Sequence, residues 1–200
     1  MKKTNKQKKI ILKNIKTTQR NFEKLSSNKN VSNINDASNL IINAIKNGNK
    51  IMFCGNGGSA ADAQHLSAEL VGKYLIHRNP LPAICLSTNT STLTSIANDL
   101  SYSQVFSRQV KAFGKEGDIL FGISTSGKSK NVIQAFKVAK DIGLSTILLT
   151  SKKAKPIKKI VDITIPVPAD RVDRIQELHI AVGHFICEIV ENEIFKKNIN

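Results

Sequence analysis

The sequence has no apolar run of 18 residues, so a membrane span is not expected. Its lysine-rich start lacks the apolar stretch and small-residue cleavage site of a secretory signal. Cysteine is scarce. Cys54, Cys85 and Cys187 are odd in number and form no C-x-x-C pair, which argues against disulfides or a zinc ribbon. These absences together point to a cytoplasmic protein. Acidic residues are also few, 15 against 30 Lys and Arg, and the imbalance is local. Residues 1–30 hold ten Lys/Arg against Glu23 alone, a net +9, which leaves +6 for the other 170 residues. A basic arm of this kind suits nucleic acid or an anionic surface. It has no interleaved aromatics to stack on bases, so it reads as a solvated helix face and no nucleic-acid partner is expected.

What is present is a globular chain: 200 residues with 40% hydrophobic content fit one domain with a full core. Ile10, Ile11, Ile15, Phe22 and Leu25 fit an amphipathic helix that frays before about residue 8. A second helix is predicted over 33–47, ending at Gly48. Short apolar runs then alternate with helical stretches. The strand candidates are Lys50–Cys54, Ala83–Ser87, Asp118–Ile123, Ser145–Thr150 and Asp162–Val167, with helices near 58–74, 101–113, 129–142 and 170–196. Continuous apolar strands separated by helices predict an α/β fold, a five-stranded parallel sheet between two helical layers. Ligands in such folds bind beyond the carboxyl ends of the strands.

Two loops there can hold an anion. Gly55-Asn56-Gly57-Gly58-Ser59 lets the backbone approach a ligand closely at a helix start, although such a turn often only solves a packing problem. Gly122-Ile123-Ser124-Thr125-Ser126-Gly127-Lys128-Ser129 lies between a strand and a helix and matches the Walker A pattern. A nucleoside triphosphatase is therefore a rival reading. Against it, no later strand ends in an aspartate placed to hold Mg²⁺. The consecutive hydroxyls of Ser124, Thr125 and Ser126 also suit direct binding of a compact phosphate.

His65 and Glu69, at i and i+4, share a helix face just after the first loop. Elsewhere such a pair is usually a surface hydrogen bond, but its origin at the strand ends favours a site. The last helix carries Gln176, His179 and His184 among Ile175, Leu178, Val182, Phe185, Ile186 and Ile189. A histidine in that setting is usually a satisfied core residue. Gln176 and His184 lie about 12 Å apart along the axis at 1.5 Å per residue. They reach one ion only by leaning together or by coming from different subunits. Zinc or another borderline divalent ion would suit such donors.

Four motifs in order resemble the phosphoheptose isomerases of the sugar-isomerase (SIS) domain superfamily. They are CGNGGSAADAQHLSAELVGKY (54–74), AND (97–99) with VFSRQV (105–110), EGDILFGISTSGKS (116–129) and DRIQELHIAVGH (173–184). The resemblance implies a three-layer αβα sandwich of flavodoxin-like type, forming one SIS domain over 1–200. Residues 1–30 would be a basic arm, and 50–196 the sheet core and last helix. It implies interconversion of sedoheptulose 7-phosphate and D-glycero-D-manno-heptose 7-phosphate for lipopolysaccharide or capsule. By position, Ser124, Thr125, Ser126 and Ser129 would hold the phosphate. Asn56, Gly57, Gly58, Asn98 and Asp99 would line the sugar, with Glu69, Asp173 and Gln176 also at substrate-binding positions. His65, Glu69, Gln176 and His184 match zinc-ligand positions, and Glu69 and His184 the acid/base pair. The family forms homotetramers with active sites at subunit interfaces. Some SIS modules instead only bind phosphosugars or replication initiators, the alternative reading. Two features depart from the family: the unusually basic first thirty residues, and Lys128, whose presence alone creates the Walker match.

Overall fold

A computed structural model describes residues 2–154, 157 and 160–195, with side chains from residue 5 onward. Among these residues the strands are β1 (Ile51–Gly55), β2 (Ala83–Cys85), β3 (Ile119–Ile123), β4 (Ser145–Ser151) and β5 (Ile163–Val167). They form one parallel sheet in the order β2-β1-β3-β4-β5. This is the flavodoxin-like order, whose switch point lies between β1 and β3. Alternation along the strands sorts side chains between two cores. Ile51, Phe53, Ile119, Phe121, Ile123, Ile147 and Leu149 face one core, built with α2 (Asn28–Lys46), α3 (Gly58–Val71) and α7 (Val172–Ile194). Met52, Cys54, Leu120 and Leu148 face the other, built with α5 (Ser107–Phe113) and α6 (Lys130–Asp141). Both faces are covered, as continuous apolar strands require.

The amino edge of the sheet is pinned by Asp118, which is 2% exposed. Its carboxylate accepts from the Lys50 and Lys115 N–H groups at 2.9 and 2.8 Å and pairs with the Lys50 ammonium. These bonds outweigh burial and lower its pKa. The carboxyl edge is thereby left to the functional loops.

Several boundaries differ from the sequence reading. The first helix, α1, runs from Lys2 to Leu25 rather than fraying before residue 8, and α2 begins at Asn28. The stretch expected as one helix over 101–113 is a 3-10 turn, Tyr102–Gln104, followed by α5. A helix absent from that reading, α4 (Thr90–Asp99), precedes it. Its sequence TSTLTSIAND is rich in residues with modest helix propensity. What starts it is a cap: the Asn89 side chain accepts from the Thr92 N–H at 3.0 Å. Helix α3 stops at Val71, before the expected 74, and α7 ends at Ile194; residue 196, where the last helix was expected to end, lies outside the described residues.

His179 is fully buried on α7. Neither ring nitrogen makes a well-formed hydrogen bond, the Thr150 backbone being at most a weak partner, so it is a poorly satisfied core histidine. Burial lowers its pKa to about 4, opposed only by the neighbouring Thr150 backbone. The unfolded chain takes up a proton near pH 6.5 that the fold refuses until about pH 4. The contribution is present above pH 6.5 and lost as pH falls toward 4, amounting to roughly 3 kcal/mol. Urea unfolding from pH 7.5 to 4.5 should show a steeper stability loss for wild type than for His179→Leu. Parallel pH profiles would contradict this account.

Candidate functional site

The carboxyl ends of β1 and β3, on either side of the switch point, carry the two loops singled out in the sequence. Gly57 sits at φ +56°, a conformation that side chains resist. Gly58 opens α3 directly beneath Gln176: a Cβ there would lie 2.3 Å from Gln176 Nε2. The side chain of Asn56 reaches across to Asn131 at the start of α6. The two amides exchange hydrogen bonds of 3.0 and 2.8 Å, and the Tyr102 hydroxyl donates to Asn56 Oδ1 at 2.9 Å. The two loops are thus joined through side chains.

In the second loop the Ser124 and Ser129 hydroxyls are 3.0 Å apart, and the Ser126 hydroxyl accepts from the Lys128 N–H at 3.1 Å. Gly127, at φ +64°, makes the turn, with its N–H bonded to the Ser124 carbonyl at 3.2 Å. Ser124 is buried, Thr125 and Ser129 are half-buried, and Ser126 and Lys128 are exposed. Hydroxyls and backbone N–H groups at a helix start form an anion-binding arrangement.

Two turns into α3 lies the chemically denser part. His65 Nε2 is 2.8 Å from His184 Nε2 and 3.1 Å from Glu69 Oε1. The rings of His65 and His184 meet edge-on at 5.0 Å, and Tyr74 lies tilted against His184 at 5.8 Å. One ligand atom from each of His65, Glu69 and His184 falls within 4.8 Å of the others, so the three residues can hold a metal ion. His65 Nε2 has at most one proton for two acceptors, whereas a cation satisfies all three donors together. A tetrahedral zinc ion with bonds near 2.0–2.1 Å would hold its ligand atoms about 3.3 Å apart, inside the spread found here.

Helices α3 and α7 run side by side and in parallel, since each follows a parallel strand. Gly58 meets Gln176, His65 meets His184, and Gly183 packs so tightly on Leu66 that a Cβ would lie 2.4 Å from Leu66 Cδ2. This register seats Gln176 at the glycine turn, seven residues before His65 in α3, or about 10 Å along the helix. Within one chain, His65, Glu69 and His184 converge, while Gln176 lies at the loop. Asp173, at the start of α7, is held by both arms of Arg171 at 2.6 and 2.7 Å, which keeps its pKa well below the usual carboxylate range. Asn98 and Asp99 close α4, exposed and bonded to each other at 2.9 Å.

Sequence reasoning missed four residues that lie beside these groups. Asp62 lies one turn before His65 with a buried, unpartnered Oδ2; burial raises its pKa to about 6, only partly offset by His65. Its i, i+3 spacing to His65 was the available signal. Asn131 and Tyr102 gave none, because their roles depend on Asn56 across the fold. Cys187 is buried beside Glu69, and burial pushes its thiol up to about 12.

A family model for the SIS domain matches residues 13–151. This chain belongs to the SIS domain family. A phosphoheptose isomerase of Clostridium acetobutylicum is 50% identical over 170 residues, covering 85% of this chain and 87% of that protein. One from Sulfurimonas denitrificans is 45% identical over 194 residues, 96% of this chain and 100% of its own length. The solved phosphoheptose isomerase of Neisseria gonorrhoeae superposes with a TM-score of 0.86 at 38% identity, covering 92% of this chain and 98% of that one. Because the SIS match spans residues 122–129, the Walker-like string there is an SIS-domain loop, which removes the main reason for the triphosphatase reading.

No helix among the described residues is long and apolar enough to cross a membrane. Purified protein loaded with Co²⁺ should bind about one ion per chain. His65→Ala and His184→Ala should each weaken binding by more than about 100-fold, beyond the loss usual for an outer-shell partner. Unaltered affinity in both variants, measured by competition with a chelator, would remove the cluster as a metal site.

Proposed function

We propose that this chain is an aldose–ketose isomerase that interconverts sedoheptulose 7-phosphate and D-glycero-D-manno-heptose 7-phosphate in the cytoplasm, with zinc as its metal. What carries the reading is the convergence of one carboxylate and two imidazoles in a chain so similar to phosphoheptose isomerases. The hydroxyl loop at the same sheet edge supports it, since a phosphate held there leaves an extended sugar to run toward α3. A non-catalytic phosphosugar-binding module would have no need of a carboxylate at Glu69.

Isomerisation moves a proton between neighbouring carbons. The Glu69 carboxylate takes the proton from C1 of the open-chain ketose, and the electron pair left behind forms the C1–C2 double bond while the carbonyl oxygen takes up a proton. Glu69 then returns its proton to C2, and the C1 hydroxyl loses its own to become the aldehyde. His184 exchanges the oxygen protons, including the one moved in ring opening. A divalent ion on His65, Glu69 and His184 would polarise the carbonyl and stabilise negative charge on oxygen. Gln176 is assigned to this centre as a fourth ligand by family resemblance, and its seat on Gly58 supports a further role in hydrogen-bonding the sugar. Ser124, Thr125, Ser126 and Ser129 bind the phosphate, and Asn56, Gly57, Gly58, Asn98, Asp99 and Asp173 bind the sugar. Binding energy from the unreactive phosphate thereby holds the reacting carbons in place.

The partner we infer is further copies of the same chain, as a homotetramer. Ile11 and Ile15 on α1 are 57% and 58% exposed, and Phe22 lies on the same stripe, one turn before the buried Leu25. An apolar stripe this long on a helix is suited to burial against another subunit.

Purified protein supplied with zinc should convert sedoheptulose 7-phosphate to the aldoheptose phosphate, detected by mass-resolved chromatography or NMR. Absence of conversion would defeat the proposal. Glu69→Gln should lose at least about 10³-fold in kcat with the fold intact, and a fully active variant would remove Glu69 as the base. Ile15→Asp should shift the assembly to smaller species by light scattering, and an unchanged mass would remove α1 from the interface.

A further inference from the structure

The loop that follows α3 is held by a charged pair for which the chemistry above has no use. The side chains of Arg78 and Glu191 are each 1% exposed, and Arg78 Nε donates to Glu191 Oε2 at 2.7 Å. The carboxylate also accepts from the backbone N–H groups of Tyr74, Leu75 and Ile76, at 3.1, 2.7 and 3.1 Å. These bonds lower its pKa although burial alone would raise it. The guanidinium donates to the carbonyls of Leu70, Gly72 and Asn79 through Nη1 and to that of Glu69, at 2.8 Å, through Nη2. One side chain thus donates to carbonyls at and after the end of α3, adding a second donor to that of Leu70, which also accepts from the Leu81 N–H at 3.0 Å. A buried ion pair is tolerated only when its remaining donors and acceptors are also met, and here they are.

The consequence is geometric. Through Arg78, the main chain of Glu69 is tied to Glu191, which lies on α7 seven residues beyond His184. Through the Tyr74 N–H, the same carboxylate fixes the residue whose ring rests on His184. Both halves of the His65–Glu69–His184 cluster are therefore referred to one buried contact. An apolar pair could supply stability at these positions. It could not bind four carbonyls and three N–H groups.

We propose that Arg78 and Glu191 are positioning residues that set the separation of the Glu69 carboxylate and the His184 imidazole. Neither touches the substrate. The proposal rests on the reading of Glu69 and His184 as the proton-transfer pair. Lysine keeps the charge at position 78 but has a single ammonium that cannot replace the guanidinium fork.

The test is Arg78→Lys in the full-length protein, with folding verified by circular dichroism and assays run well below its melting temperature. The expected result is a fall in kcat of about 10–100-fold with KM changed less than about 3-fold. The visible absorption of bound Co²⁺, which reports ligand geometry without turnover, should change as well. Unaltered kcat and an unaltered cobalt spectrum, with only the melting temperature lowered, would overturn the proposal. Should Arg78→Lys fail to fold, Tyr74→Leu decides, because it keeps the main-chain bonds to Glu191 and removes only the ring on His184. A changed cobalt spectrum then supports positioning, and an unchanged one overturns it. Wild-type turnover separates the two readings: an enzyme inert on sedoheptulose 7-phosphate fails the functional assignment, while the cobalt spectrum still tests the geometry.

Discussion

The contact between α3 and α7 is the constraint on which the site depends. Both helices descend from the carboxyl edge of the sheet, and two glycines let them approach. Gly58 admits the Gln176 amide, and Gly183 admits Leu66. At each point a Cβ would crowd the end of a facing side chain, so the two glycines favour this register. The glycine contacts bring His65 and His184 to the same level of the two helices, and the Arg78–Glu191 contact ties the end of α3 to α7 beyond them. The His65–Glu69–His184 cluster and the seat of Gln176 therefore both follow from how α3 packs on α7.

Around this contact the molecule separates two tasks. The amino edge of the sheet is closed by Asp118 and its bonds to Lys50 and Lys115. The carboxyl edge is left to loops whose polar atoms bond mainly to one another, as in the Asn56–Asn131 exchange and the Ser124–Ser129 contact. Such pairs are ready to trade partners with a ligand that offers the same donors and acceptors. The anchoring bonds at the other edge are not exchangeable in this way, because Asp118 is buried.

Much of this was readable from residue order. Five apolar runs alternating with helical stretches determine a parallel sheet, and the i, i+4 spacing of His65 and Glu69 puts them on one face whatever the fold. What could not be read lies in contacts between distant segments. The spacing of Gln176 and His184 is a property of α7 alone, yet their different partners, Gly58 and His65, depend on the register against α3. Helix α4 escaped because its Thr- and Ser-rich sequence has little intrinsic preference and relies on the Asn89 cap. His179 had the sequence of a satisfied core histidine, and nothing local foretold that the core would offer it only the Thr150 backbone as a weak partner.

The parallel sheet has one more result. Because every strand points the same way, α3, α4, α6 and α7 each follow a strand and begin at the same edge. A helix start carries roughly half a positive charge from its aligned peptide dipoles. Three of them, α3, α4 and α6, have no acidic residue in the first turn and give that edge a fixed positive potential whose source is backbone, while α7 carries Asp173 at its start. Unlike lysine side chains, these dipoles neither titrate nor reorient, and they act within the Debye length of about 8 Å at physiological salt. A phosphorylated sugar would thus meet an attractive field before it meets any residue that recognises it.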